Sequence, residues 1–134
     1  AGRAHGGFPS YTESKPSIIE IDGYKIKEFP INTVSILNKK WIYSGGGYFR
    51  LTPYNLIYRW TKSSEYIMTY FHPRDFDPGQ PVIKELSALR KFKSYIGLKN
   101  CMKKLDKWTS DFNFIDMSSA DKLIDWNKSH VIKL

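Results

Sequence analysis

The stretch from Met68 to Pro81 (Met-Thr-Tyr-Phe-His-Pro-Arg-Asp-Phe-Asp-Pro-Gly-Gln-Pro) restricts the fold of this chain more than any other. The apolar run Tyr66-Ile67-Met68-Thr69-Tyr70-Phe71 is short, β-branched and aromatic, which predicts a buried strand. Pro73 cannot donate to a sheet ladder and so ends that strand. His72 is therefore expected at a strand's carboxyl end, where loops converge and α/β architectures build their sites. Arg74, Asp75 and Asp77 crowd the same loop. A lone histidine after a strand also serves as an ordinary hydrogen-bonded structural residue, and position alone does not separate the two roles.

A chain of 134 residues suits one domain of ordinary size. We read it as a single domain or a fragment: a loop over 1–16, a sheet-bearing portion with a hairpin over 17–83, and a carboxyl-terminal extension over 84–134. Aromatics reach 16%, a share that serves cores, sugar-binding faces or base-stacking platforms. The single Cys101 excludes an internal disulfide and a cysteine metal cluster, in keeping with a reducing compartment. No run approaches the roughly twenty apolar residues of a membrane span, and the start lacks a signal-peptide pattern. A cytoplasmic location is expected, with membrane association as the alternative. The opening Ala-Gly-Arg-Ala-His-Gly-Gly, without an initiator Met, suggests a piece of a longer protein.

The net charge of +8 is uneven. Between Lys84 and Lys107 eight basic residues face only Glu85 and Asp106. That window suits a phosphate-bearing partner or an anionic membrane, and equally a solvated helical face. No recognition-helix or zinc-finger spacing accompanies it, so nucleic acid is not the expected partner.

Along the chain, Asp22-Gly23 between Ser17–Ile21 and Tyr24–Phe29 predicts a two-stranded hairpin. Residues 31–37 alternate loosely as a strand, with a turn at Asn38-Lys39-Lys40. Ser44-Gly45-Gly46-Gly47 predicts a sharply bending loop, and it lacks the Gly-Lys-Ser/Thr ending of a phosphate loop. Thr52 followed by Pro53 predicts an N-cap opening a helix through Leu56, Ile57 and Trp60. Leu86, Leu89 and Phe92 share a face of a short helix broken by Gly97. A firmer helix, capped near Asn100, is expected to run to about Ser110 with Met102, Leu105 and Trp108 buried. Residues 112–115 read as a last strand, Ser118 or Ser119 as the cap of a final helix, Asp125-Trp126 as a packing pair at its end, and the tail as frayed.

Several segments, in one order, carry a resemblance. They are Arg3-Ala4-His5-Gly6-Gly7 with Phe8-Pro9, Glu28-Phe29-Pro30, and Ser44 to Leu51 with Pro53-Tyr54. Tyr70 to Pro78 with Gln80-Pro81, and Phe92-Lys93-Ser94-Tyr95, complete the set. Together they resemble the carboxyl-terminal part of bacterial polysaccharide deacetylases of the NodB-homology type, similar to carbohydrate esterase family 4. The branch is that of exopolysaccharide and lipopolysaccharide biosynthesis loci. The resemblance implies an α/β fold, the carboxyl-terminal portion of a distorted (β/α) barrel with a β-hairpin and a carboxyl-terminal helical extension.

It also implies metal-assisted hydrolysis of N-acetyl groups on an N-acetylated oligosaccharide or polysaccharide. In such enzymes an Asp and two His hold a divalent metal, usually zinc, an Asp acts as base, and a late His protonates the departing amine. His72 is similar to that late His, with Asp75 the nearest candidate to orient it and Asp77 in reserve. Tyr48 and Arg50 resemble one wall of the sugar groove, with Arg3 and His5 on the opposite rim. The family's early Asp-Asp and His-x-x-x-His motifs have no counterpart among His5, His72 and His130. The expected zinc would thus be held by residues upstream of Ala1, in a missing amino-terminal part, and this chain alone would be inactive. A noncatalytic carbohydrate-binding or scaffold module is the alternative reading, and a basic nucleic-acid-binding domain the third.

Overall fold

A computed structural model describes residues 14–134. It is a mixed α/β structure with two small sheets and five α-helices among the described residues. The chain falls into two compact units, one of residues 31–114 and the other joining the amino-terminal hairpin to residues 115–134.

In the second of these, strands β1 (Ser17–Ile21) and β2 (Tyr24–Glu28) pair antiparallel with Ser17 opposite Glu28 and Ile21 opposite Tyr24. The turn takes φ of 50° at Asp22 and 80° at Gly23, the positive values that an Asp-Gly hairpin turn needs. Ser17 and Ile19 turn inward on β1, while β2 is largely exposed. The tail is not frayed: β5 (Val131–Lys133) runs parallel to β1, giving the order β2-β1-β5. Helix α5 (Met117–Leu123) is capped by Asp116, whose carboxylate accepts from the Ser119 N–H at 2.9 Å. The expected serine caps are therefore the donors to the true cap. Trp126 lies in a 3₁₀ turn, Trp126–Lys128, packs edge-on against Phe29 at 5.5 Å, and lies under the Lys27 ammonium.

The unit of residues 31–114 holds the aromatic core. Strands β3 (Val34–Ile36) and β4 (Lys39–Trp41) form a hairpin whose turn is Leu37-Asn38, both at positive φ, one residue earlier than the sequence suggests. The triple glycine is not a free loop, because Gly46 and Gly47 open helix α1 (Gly46–Leu51). Gly45 is needed for a different reason: a β-carbon there would come within 2.1 Å of the Tyr70 carbonyl oxygen. That close approach is a parallel bridge between Gly45 and Tyr70, with the Tyr70 N–H donating to the Ser44 carbonyl at 3.2 Å. Apart from this bridge, residues 66–71 form no strand, so His72 follows an extended segment and not a strand end. Thr52 likewise closes α1 by donating to the Tyr48 carbonyl at 2.8 Å, and α2 (Tyr54–Lys62) starts after Pro53.

Helix α3 (Ala88–Tyr95) buries no residue and leaves Leu86 outside it, half-buried, ahead of its first turn. Gly97, at φ 73°, is the N-cap of α4 (Leu98–Asp111), three residues before the expected cap. The inward stripe of α4 is Leu98, Cys101, Leu105 and Trp108, whereas Met102 is half exposed. A stripe needs alternating steps of three and four, and Met102 lies one position off that phase. No strand forms at 112–115. Phe112 and Phe114 pack as side chains, Phe114 edge-on to Trp108 at 4.8 Å.

Tyr43, Phe49, Ile57, Cys101 and Trp108 are fully buried at the centre. Phe49 stacks near Trp108 at 5.2 Å and meets Phe71 edge-on at 5.0 Å, so much of the aromatic content is core rather than binding platform. Several buried polar groups of this core are paired. The Trp108 indole N–H donates to Thr61 Oγ1 at 2.9 Å, and the Asn32 amide bridges Tyr43 and Ser44. No described helix is long and apolar enough to cross a membrane.

Candidate functional site

The sequence around Arg50 builds the centre of the site. Helix α1 carries Phe49 and Arg50 inward together, because a six-residue helix has one side against the core. Burying a guanidinium is costly unless its charge is matched. The match is Asp75, in the 3₁₀ turn Pro73–Phe76, whose Oδ1 lies 2.7 Å from Arg50 Nη1. The two side chains are only 4% and 7% exposed. Arg50 Nη2 donates to the Lys93 carbonyl on α3 at 3.0 Å, and Nε finds no protein partner. One guanidinium thus ties α1 to the turn after His72 and to α3.

Asp75 completes the turn through its other oxygen. Oδ2 accepts from the His72 backbone N–H at 3.0 Å, while the Asp75 N–H donates to the His72 carbonyl at 2.8 Å. Main-chain contacts of this reciprocal kind fix where His72 begins the turn. Its imidazole is left on the exposed surface, edge-on to the half-exposed ring of Tyr70 at 4.9 Å. The carboxylate considered as the orienter of His72 therefore holds the residue by its backbone and is itself neutralised by Arg50. Asp77 accepts from the Gly79 N–H at 2.8 Å, and Gln80 donates to the Arg74 and Asp77 carbonyls. The loop past His72 is thereby closed on itself.

Tyr48 sits beside this arrangement, 37% exposed, with its ring edge-on to Trp41 at 4.7 Å. It lines a hollow of about 230 Å³ with Gly47, Leu51 and Lys93. A larger groove of about 410 Å³ runs between the loop at Pro78 and Gln80 and the first turn of α4. Of the residues assigned from sequence, the structure joins Arg50, Asp75 and the backbone of His72 directly. Tyr48 is on the same helix as Arg50, and Arg3 and His5 lie outside the described residues. Arg50 is buried, so any part it plays in a groove is through the Asp75 turn and not by its own surface.

Two residues carry more than their sequence context suggests. Lys104 looks like one charge among many, yet its ammonium donates to the carbonyls of Phe49, Arg50 and Thr52 at 2.9 to 3.0 Å. It caps the carboxyl end of α1, and burial pushes its pKa below the usual lysine value. A lysine on an otherwise apolar helix side, four positions before Trp108, is the signal that points to it. Cys101 is the other. It is fully buried in the aromatic core, where burial pushes its thiol pKa up and its observed part is packing.

No group of three or more His, Cys, Asp or Glu side chains that could hold a metal ion occurs among the described residues. The metal that the resemblance implies thus has no fit on them. No curated protein and no solved structure matches the chain. One family does, over residues 1–122, under the description "Domain of unknown function". With nearly the whole length matched, the chain belongs to the DUF3473 family.

Proposed function

We propose that this chain is the carboxyl-terminal part of a metal-dependent polysaccharide or sugar N-deacetylase, the closing portion of a distorted (β/α) barrel, with His72 as general acid. The observation that carries the reading is the buried Arg50–Asp75 pair. It joins two of the segments on which the resemblance rests, Ser44 to Leu51 and Tyr70 to Pro78, although 25 residues separate the paired side chains. Membership of the DUF3473 family over residues 1–122 supports a shared domain, not a shared reaction.

The chemistry asked of this chain is limited and specific. Amide hydrolysis expels an amine, which is a poor leaving group until protonated. An exposed imidazole, set at a fixed place by the Asp75 turn, is suited to deliver that proton to the departing nitrogen. Tyr48 offers a ring face and Lys93 a cation at the hollow between α1 and α3, suited to position a sugar. The divalent metal of the proposed reaction would be held by residues upstream of this chain and would supply polarisation of the acetyl carbonyl there.

Acetate release from an N-acetylated oligosaccharide with added zinc tests the reading. It is measured on this chain and on the protein extended at its amino terminus. Activity in the extended form alone is the expected result. Activity of the short chain would show that the missing metal ligands are present after all, and silence in both would favour a noncatalytic carbohydrate-binding module.

A further inference from the structure

Helix α3 is oriented against the usual rule. An amphipathic helix on a globular protein turns its apolar stripe to the core, but here the half-buried side is Lys91, Ser94 and Tyr95. Leu89 and Phe92, three residues apart and so on one face, are 64% and 52% exposed. Arg90 and Lys93 are exposed beside them. The segment leading into the helix repeats the pattern, with Val82 and Ile83 at 61% and 48% exposure followed by Lys84. Within residues 82–95 four basic side chains face the single acid Glu85.

The orientation is built in. The Lys93 carbonyl is held by the buried Arg50, and the Tyr95 hydroxyl accepts from the Ile83 N–H at 2.9 Å and donates to the Pro81 carbonyl at 3.0 Å. The inner side of α3 is thus pinned, and the preceding segment is stapled to it. Turning the helix to hide Leu89 and Phe92 would break both anchorages.

We propose that the outward side of α3, with Leu89 and Phe92 flanked by Arg90 and Lys93, is a peripheral membrane-docking surface that seats on anionic lipid. Large apolar side chains flanked by lysine and arginine match the boundary between acyl chains and negatively charged headgroups. Phosphates of a nucleic acid would use the cations but leave Leu89 and Phe92 in water, so the apolar residues decide between the two. No described helix is long and apolar enough to cross a membrane. The proposal does not depend on the deacetylase reading, although Lys93 belongs to both surfaces.

Sedimentation of the purified chain with vesicles tests it, comparing phosphatidylcholine alone with phosphatidylcholine containing roughly one third phosphatidylglycerol. At least about tenfold more protein is expected on the anionic vesicles, falling steeply as salt is raised. The double variant Leu89→Ser, Phe92→Ser alters only exposed side chains, so its circular dichroism should match the parent while its vesicle binding falls at least about tenfold. A parent that ignores anionic vesicles would overturn the proposal. So would undiminished binding by the folded double variant, which would reduce the contact to charge alone. A dimer of the parent that the double variant dissolves would give the face to a second copy of the chain instead.

Discussion

Arg50 shows how one side chain decides whether a distant loop has a shape. Its charge is buried, so its energy depends on Asp75 remaining opposite it, 2.7 Å away. Removing one partner of such a pair leaves an uncompensated charge in a low-dielectric interior, which costs about 3–5 kcal/mol. Arg50→Met is therefore expected to lower the unfolding free energy, read from urea denaturation, by that amount. Arg50→Met combined with Asp75→Leu should cost less than Arg50→Met alone, since an apolar pair carries no stranded charge. A single-variant loss under about 1 kcal/mol would mean that water reaches the pair. Arg50 was legible in the sequence as part of a motif, and its burial was not. Nothing local marks an arginine as inward-facing when its partner is 25 positions away.

The elements are held in place by aspartates at their ends. Asp116 accepts the Ser119 N–H at the start of α5, Asp121 on α5 accepts from Lys27 of β2 at 2.7 Å, and Asp111 at the end of α4 accepts from the Tyr54 hydroxyl of α2. Each bond favours the ionised carboxylate, holding all three pKa values below the ordinary 3.8. As pH falls through that region the unfolded chain takes up protons before the folded one. The stability these groups supply is thus complete above about pH 4 and lost progressively below it. Urea midpoints measured from neutrality towards about pH 2 should decline in that lower range, and a flat profile would contradict the assignment.

Elements with local signals were the ones legible in advance. Asp22-Gly23 dictates its turn through backbone conformation alone, and the helix of Leu56, Ile57 and Trp60 follows from periodicity. The segment 66–71 is not a strand because β-branched and aromatic residues favour strands only where a partner backbone runs alongside, and here Tyr70 makes an isolated bridge to Gly45. The strand at Val131–Lys133 was missed for the converse reason: its partner β1 lies more than a hundred residues earlier.

At the scale of the molecule, the basic window from Lys84 to Lys107 resolves into separate jobs. Lys104 caps a helix, Lys107 pairs with Asp111, and the exposed charges on α3 accompany outward apolar side chains. Composition showed the excess charge without showing this division. The two segments that the resemblance singles out, around Ser44 to Leu51 and Tyr70 to Pro78, meet through a bridge and an ion pair. That convergence makes His72 the residue on which the proposed chemistry turns.

His72→Ala isolates that chemistry well, because the contacts that hold position 72 use its backbone N–H and carbonyl, which alanine retains. The decisive measurement is kcat for acetate release by the amino-terminally extended protein, with and without this substitution. The account predicts a drop of about a hundredfold or more with KM nearly unchanged, the usual contribution of a positioned acid. An unchanged kcat would contradict it and remove His72 from the reaction.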